Sequence, residues 1–128
     1  RYFLNPDHYH ILTAKNNNDF LGYLVFKLDK EKEIGTVCDF ITLNDRIDVF
    51  YSLVREAEKK LKNMGVHLIQ IMCLKNTTYY KALVNLGYND ILPKKPRPII
   101  IYSQTKQGES ILKNTSKWHF TLADSDNI

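Results

Sequence analysis

The sequence has few cysteines, no long hydrophobic run and no dominant charge of one sign. Its 2 cysteines, Cys38 and Cys73, each lie inside an apolar run, and neither belongs to a CxxC pair or a His/Cys cluster with metal-ligand spacing. This pattern predicts buried reduced thiols, a cytoplasmic setting and no metal site. No apolar segment approaches the roughly 20 residues that cross a bilayer, so we expect no membrane association.

The charge is modest and scattered. The chain has 18 basic and 14 acidic residues and a net charge of +4. Nucleic-acid-binding domains usually show a denser basic stripe with interleaved aromatic residues, so a nucleic-acid partner is disfavoured. A mild positive field remains compatible with an anionic small ligand.

The chain is long enough for one packed domain. Its 128 residues are 44% apolar, which suffices for a hydrophobic core and is too apolar for a disordered chain. We therefore expect a single domain over residues 1–128. Because the sequence begins with Arg1 rather than Met, we also expect it to be a fragment of a longer protein.

Hydrophobic periodicity divides the chain into alternating elements. Three strands joined by tight turns are predicted over residues 9–15, 20–28 and 34–43. Helical spacing follows over residues 44–64, with Asn44 or Asp45 as the cap and Gly65 as the left-handed closing residue.

The second half of the chain has a weaker pattern. A nearly continuous apolar run over residues 66–74 is typical of a strand covered on both faces. A second helix is predicted over residues 77–86, with Tyr79, Tyr80, Leu83 and Val84 facing inward and Gly87 at its end. The remaining predictions are a proline-rich loop over residues 93–98, strands over 99–103 and 118–123, and a polar connection over 105–117.

This element order predicts the fold class. One strand–helix–strand unit requires a parallel crossover, and tight turns make the other pairings antiparallel. The result is an α/β (α+β) fold with a mixed, mostly antiparallel sheet, one parallel β-α-β crossover and helices on the sheet faces.

Two spacings within that order carry a family resemblance. Leu53-Val54 precedes Gly65 by about a dozen residues, and Asn76 is followed by a helix that ends in Gly87-Tyr88. Over residues 20–88 this register resembles the GNAT superfamily of N-acyltransferases, of which the chain would form the C-terminal two-thirds. The resemblance implies a single GNAT-like domain that transfers an acetyl or acyl group from acyl-CoA to an amine acceptor.

The chain departs from the family's diphosphate-binding loop. That loop carries an Arg or Gln, two variable residues and then Gly-x-Gly or Gly-x-Ala, and the corresponding positions here hold Asp45, Asp48 and Phe50. The glycines allow backbone amides to approach the diphosphate of the coenzyme. A carboxylate at Asp48 repels phosphate and the ring of Phe50 fills space, although Arg46 supplies a compensating charge.

The resemblance also implies the residues that would bind acetyl-CoA or acyl-CoA. The backbone at the end of the third strand would bind the pantetheine arm, Arg46 would supply charge, and Asn76 would make a polar contact at the end of the fourth strand. An alternative role for Asn76 is to cap the second helix. The donor-binding set is therefore Ile41, Thr42, Leu43, Arg46 and Asn76.

Acid–base candidates come from both halves of the chain. Asp39 lies inside an apolar strand, opposite in facing to Cys38 and Phe40, and an apolar setting can tune a carboxyl group as a general base. Its alternative role is hydrogen bonding to nearby backbone. The family's usual general-acid tyrosine falls at Leu83, so Tyr79 or Tyr80 would substitute; alternatively both pack with their hydroxyls at a rim.

Three functions follow from these residues. The first is acyl-CoA-dependent N-acylation of a small-molecule amine, which requires that the third and fourth strands diverge beside the start of the long helix. The second is an aminoacyl transfer of the Fem type, which would suit the missing glycine motif. The third is a non-catalytic half-domain for packing or partner binding, including a possible homodimer through an exposed sheet edge.

Overall fold

The computed structural model describes residues 9–91, 105–114 and 118–121. These residues belong to two compact units. The first comprises the described residues up to Cys73 together with Phe120 and Thr121, and the second comprises the described part of Leu74–His119.

The first unit is built on a four-stranded sheet. Its strands, in chain order and in sheet order, are β1 (Tyr9–Asn16), β2 (Asp19–Asp29), β3 (Ile34–Thr42) and β4 (Leu68–Ile71). β1–β2 and β2–β3 are antiparallel, whereas β3–β4 is parallel. The predicted meander and single parallel crossover are therefore confirmed.

The crossover helix covers one face of this sheet. Helix α1 (Ile47–Asn63) buries an apolar stripe against the strands: Val49, Phe50, Leu53, Val54, Ala57 and Leu61. The ring of Phe50 packs on Phe40 of β3, with centroids 4.8 Å apart and planes at 48°. A Cβ on Gly35 would lie only 2.7 Å from two side-chain carbons of Leu61, so a glycine at this position lets α1 lie close to β3.

The start of α1 differs from the prediction. Leu43–Asp45 form a 3₁₀ turn, in which Asn44 and Asp45 both have φ of 52°. Arg46 is the N-cap and makes no side-chain capping bond. Capping by Asn44 or Asp45 was thus wrong, because an N-cap residue needs an extended backbone and these two adopt left-handed conformations. The predicted closing glycine, Gly65, has φ of 81° and is confirmed.

β4 is shorter and more exposed than its apolar sequence predicted. Exposed positions alternate with half-buried ones along the strand, and Leu68 is 48% exposed. The expectation of a strand covered on both faces was therefore wrong for its described residues. Single apolar side chains are common on protein surfaces, so a run of them does not by itself establish two covered faces.

In the second unit, α2 (Thr78–Asn85) confirms the predicted second helix. Gly87 follows its end with φ of 95°, the left-handed conformation expected there. Its buried side chains are Tyr79, Ala82 and Leu83, whereas Val84, predicted to face inward, is 47% exposed.

The later part of the chain departs further from the sequence predictions. Helix α3 (Lys106–Lys113) occupies the segment predicted as a polar connection, and Gly108 in its interior explains why propensity did not predict it. Residues 118–121 are described and form no strand, and the predicted elements over 93–98, 99–103 and 122–123 lie outside the described residues. No helix in the described ranges is both long enough and apolar enough to cross a membrane.

Candidate functional site

β4 pairs with only the first part of β3. Their parallel ladder has four residue pairs, from Ile34–Leu68 to Val37–Ile71, whereas β3 continues to Thr42. The β2–β3 register shifts where Val25 pairs with Asp39 but Phe26 pairs with Val37, which leaves Cys38 as an inserted residue. This β-bulge coincides with the end of the parallel ladder, and bulges bend and twist the strand that carries them.

The two faces of β3 differ beyond the bulge. Cys38 and Phe40 are buried, and the packing of the Phe40 ring against Phe50 places them on the face covered by α1. Alternation along the strand places Asp39 and Ile41 on the opposite face. The predicted facing of Asp39 is consistent with this arrangement.

The predicted donor-binding backbone lies at the end of β3. Ile41 is 45% exposed and Leu43 is 51% exposed, whereas the side chain of Thr42 is buried. An apolar side chain is therefore presented to solvent on each side of a buried threonine. Ile41 and Thr42 lie in β3 beyond its last pair with β4, and Leu43 begins the 3₁₀ turn that follows the strand.

Two hydroxyl groups hold the carboxylate of Asp39. Tyr23 Oη donates to Oδ2 at 2.9 Å, and Thr121 Oγ1 donates to Oδ1 at 3.1 Å. Both carboxylate oxygens thus accept a side-chain hydrogen bond. These two bonds fix the orientation of the carboxylate.

Sequence reasoning missed both of these hydroxyl partners. Tyr23 lies on the strand next to Asp39, and strand alternation could have placed the two side chains on one face. Thr121 is 82 residues from Asp39 and precedes no motif, so no sequence signal indicated it.

At the start of α1, Arg46 binds a carboxylate of its own chain. Its Nε lies 3.1 Å from Oδ1 of Asp48 and its Nη2 lies 2.5 Å from Oδ2, a two-pronged pair at the surface. These bonds lower the pKa of Asp48, with a smaller contribution from the backbone amide of Val49, and raise the pKa of Arg46. The cation predicted to meet a donor phosphate is thus already engaged.

The ring of Phe50 is completely buried. It packs into the core on the α1 face of the sheet and does not project from the turn. Together with the carboxylate of Asp48 in the first turn, this means that the residues at the start of α1 do not fit the diphosphate of coenzyme A.

The remaining predicted residues lie in the second unit. Asn76 is exposed in the turn before α2, and the helix is capped instead by Thr77, whose Oγ1 accepts from the amide of Tyr80 at 3.3 Å. Tyr79 is 5% exposed and meets the ring of His119 edge-on at 5.8 Å, so its side chain is more enclosed than a rim position.

Tyr80 is half-buried and has a cation nearby. Lys75 forms an ion pair with Asp90, and this hydrogen bond is the main cause of the raised pKa of Lys75, with a smaller contribution from Tyr80. Tyr80 is therefore the more accessible of the two tyrosines predicted as general acids.

A groove of about 490 Å³ lies between α1 and the β1–β2 hairpin in the first unit. Arg46 and Asp48 line one end of it, and Lys15 and Glu56 add one charge of each sign. Among the predicted site residues, Arg46 alone contributes to its lining. The described residues contain no group of three or more His, Cys, Asp or Glu side chains able to hold a metal ion.

Comparisons with known proteins give matches only at the level of three-dimensional structure. No family model matches the sequence, and a search of curated proteins found no match. An aminoglycoside acetyltransferase from an uncultured soil metagenomic sample has a TM-score of 0.58 at 17% identity, with 73% of this chain and 68% of that chain covered.

Two further solved structures match in the same way. The aminoglycoside N-acetyltransferase AAC(6′)-Iy in complex with CoA has a TM-score of 0.58 at 15% identity, with 77% of this chain and 78% of that chain covered. A soil metagenomic aminoglycoside acetyltransferase in complex with sisomicin has a TM-score of 0.56 at 13% identity, with 80% and 68% covered. At these identities the comparisons establish the fold, which is of the GNAT type, and the predicted fold resemblance is confirmed.

Proposed function

We propose that this chain is an acyltransferase that moves an acyl group from a thioester donor, such as acyl-CoA, to the amine of a small molecule. The observation that carries the proposal is the end of the β3–β4 pairing at Val37–Ile71, five residues before β3 itself ends at Thr42. Beyond that pair no described residue of β4 pairs with β3, and a thin donor arm would bind along this part of β3. The acetyltransferase activity of the structural neighbours agrees with this proposal.

The donor arm would bind to the end of β3. A pantetheine arm contains two amide groups, which can pair with strand backbone as an added peptide strand does. The exposed side chains of Ile41 and Leu43 would contact its methylene and methyl groups, since together they present apolar surface at this edge. Thr42 would contribute its backbone only, because its side chain is buried.

Asp39 would act as the general base. The amine nitrogen attacks the thioester carbonyl, its proton passes to Asp39 directly or through water, the C–N bond forms and the C–S bond breaks. The bonds from Tyr23 and Thr121 would hold the carboxylate in one orientation throughout. The departing thiolate would take a proton from water. Of the two tyrosines predicted as general acids, Tyr80 is the less enclosed within the second unit.

We further infer that residues 1–128 work as one GNAT-like domain with small-molecule donor and acceptor. The solved neighbours align with 73% to 80% of this chain, which supports one functional unit across most of its length.

The test is an acyl-transfer assay with acetyl-CoA and a panel of primary amines, read by mass spectrometry of the acylated product. Asp39→Asn should lower kcat by about 100-fold or more, the usual contribution of a general base. The matched control is Asp19→Asn, an exposed carboxylate at the start of β2, which should leave kcat unchanged.

Two outcomes would overturn the proposal. One is equal kcat for wild type and Asp39→Asn, which would remove the assigned base. The other is the absence of any acylated amine with a folded chain, which would favour the non-catalytic alternative in which this fold serves packing or partner binding.

A further inference from the structure

The place where this fold would meet the donor's diphosphate already contains an anion. Asp48 lies in the first turn of α1, where the free backbone amides of a helix and its dipole favour negative charge. Its carboxylate accepts two bonds from Arg46, and the amide of Val49 contributes to its lowered pKa. The chain thus supplies its own negative group at the start of this helix.

A diphosphate at this turn would meet a cation whose charge is already balanced by Asp48. A phosphate that reached Arg46 would lie beside the carboxylate of Asp48, a like charge that repels it. Asp45, in the turn immediately before Arg46, adds a second negative side chain. The local charge therefore opposes an anionic ligand even though the chain as a whole is positive.

The backbone of this segment offers no alternative cradle. Residues 43–50 contain no glycine, so each amide is flanked by side chains that limit close approach. Phe50 cannot move aside, because its ring is completely buried against Phe40. Approach of a diphosphate is therefore opposed both by the buried ring of Phe50 and by the surface carboxylate of Asp48.

The edge proposed for the donor arm is arranged differently. Ile41 at the end of β3 and Leu43 just after it have exposed apolar side chains, and the parallel ladder stops before them. No charged residue lies between positions 40 and 44. One end of a coenzyme A thioester thus meets a compatible surface, and its other end meets an incompatible one.

We propose that the donor is recognised through its acyl-pantetheine arm alone and that the diphosphate and nucleotide of coenzyme A add nothing to its recognition. This inference rests on the proposed acyl transfer. The substrate class is an acyl thioester of pantetheine, whether or not a nucleotide is attached to the far end of the arm.

The experiment compares acetyl-CoA with S-acetylpantetheine as donors for one amine at low ionic strength. The two kcat/KM values should agree within about threefold, whereas a site that bound the diphosphate would favour acetyl-CoA by about tenfold or more for each charge-assisted hydrogen bond made to it. A preference of that size for acetyl-CoA would overturn the inference.

A charge-removing variant tests the cause. Asp48→Asn should shift the ratio of the two kcat/KM values toward acetyl-CoA by about threefold to tenfold, because repulsion is lost and Arg46 is released. The matched control is Glu58→Gln, which removes the acceptor of another exposed arginine pair on α1, Arg55–Glu58 at 2.9 Å, and should leave the ratio unchanged. Equal shifts in both variants would contradict the assigned position.

Binding measured by calorimetry separates this inference from the proposed transfer. If neither donor yields product, the transfer proposal fails, and the affinities of CoA and pantetheine for the chain still decide the inference. Equal affinities support it. Binding of CoA at least tenfold tighter than that of pantetheine overturns it, as does the absence of pantetheine binding at millimolar concentration.

Discussion

The hydroxyl of Tyr23 lies 2.9 Å from Oδ2 of Asp39, so that a side chain of β2 holds the carboxylate of β3. Thr121 reaches the other oxygen of the same carboxylate from the far end of the chain. Together these two bonds connect three parts of the sequence at one acidic group. The carboxylate proposed as the base therefore also links three segments of the first unit by hydrogen bonds.

Tyr23→Phe should reduce the free energy of unfolding by about 1–3 kcal/mol, the usual cost of removing a hydrogen bond to a charged group. Thr121→Val should act in the same direction through the other oxygen. Urea unfolding of both single variants and the double variant gives their coupling energy. Strict additivity would show that the two bonds do not share one acceptor group in solution.

Phe50→Ala should reduce the free energy of unfolding by about 3–5 kcal/mol, because it leaves a cavity in the core beneath Phe40. Phe20→Ala, at a residue that is 48% exposed, is the control and should change stability by less than about 0.5 kcal/mol. The measurement is chemical denaturation monitored by circular dichroism. A small effect at Phe50 would mean that its ring lies in the turn and not in the core.

Gly22→Ala should destabilise the chain by about 1–3 kcal/mol and lower acyl transfer as well. The new Cβ would lie 2.6 Å from the carbonyl oxygen of Ile41, and backbone cannot move aside as a side chain can. The displaced strand is the one proposed to bind the donor arm. Gly65→Ala is the comparison: it meets no atom within 4 Å and is strained only by its φ of 81°, so it should lower stability without raising KM for the donor.

Acidification should weaken the folded state through Asp29 and Asp48. The hydrogen bond from Lys32 lowers the pKa of Asp29, and the bonds from Arg46 lower that of Asp48, both from an ordinary value of 3.8. A lowered pKa in the folded state gives stability that is present above pH 3.8 and is lost as the pH falls through the folded-state value.

The corresponding measurement is the urea midpoint at about pH 5 and about pH 2.5. The double variant Asp29→Asn, Asp48→Asn should show a smaller decrease between these conditions than the wild type. An identical decrease in both proteins would show that the two carboxylates do not contribute to the pH dependence.

Local sequence signals predicted most of the first unit. Strand alternation and helical spacing placed β1, β2, β3 and α1 within a few residues of their observed ends, because each element buries one face in a regular period. Gly65 and Gly87 were placed by their freedom to adopt positive φ. The order of these elements was enough to predict the parallel crossover.

The candidate site was harder to predict because its contacts depend on position in three dimensions. The bulge at Cys38 has no residue signature, and Thr121 meets Asp39 only after the chain has folded. Arg46 and Asp48 are only two residues apart in sequence. The effect of their ion pair on anion binding nevertheless depends on α1, which begins between them. The sequence identified Arg46 and Asp48 as the charged residues of this turn, and the structure shows that they bind each other.

The parallel β3–β4 ladder also predicts the order in which the elements of the first unit fold. β1 and β2 are joined by a turn of two residues, whereas the Thr36–Gln70 pair of the ladder joins positions 34 apart. Closing the longer loop costs more chain entropy, so the β1–β2 hairpin is expected to form early. β4 is expected to pair with β3 only after α1 has formed. The β3–β4 ladder would then be completed late in folding, and a refolding chain would form its meander before the edge of β3 that we propose for the acyl arm.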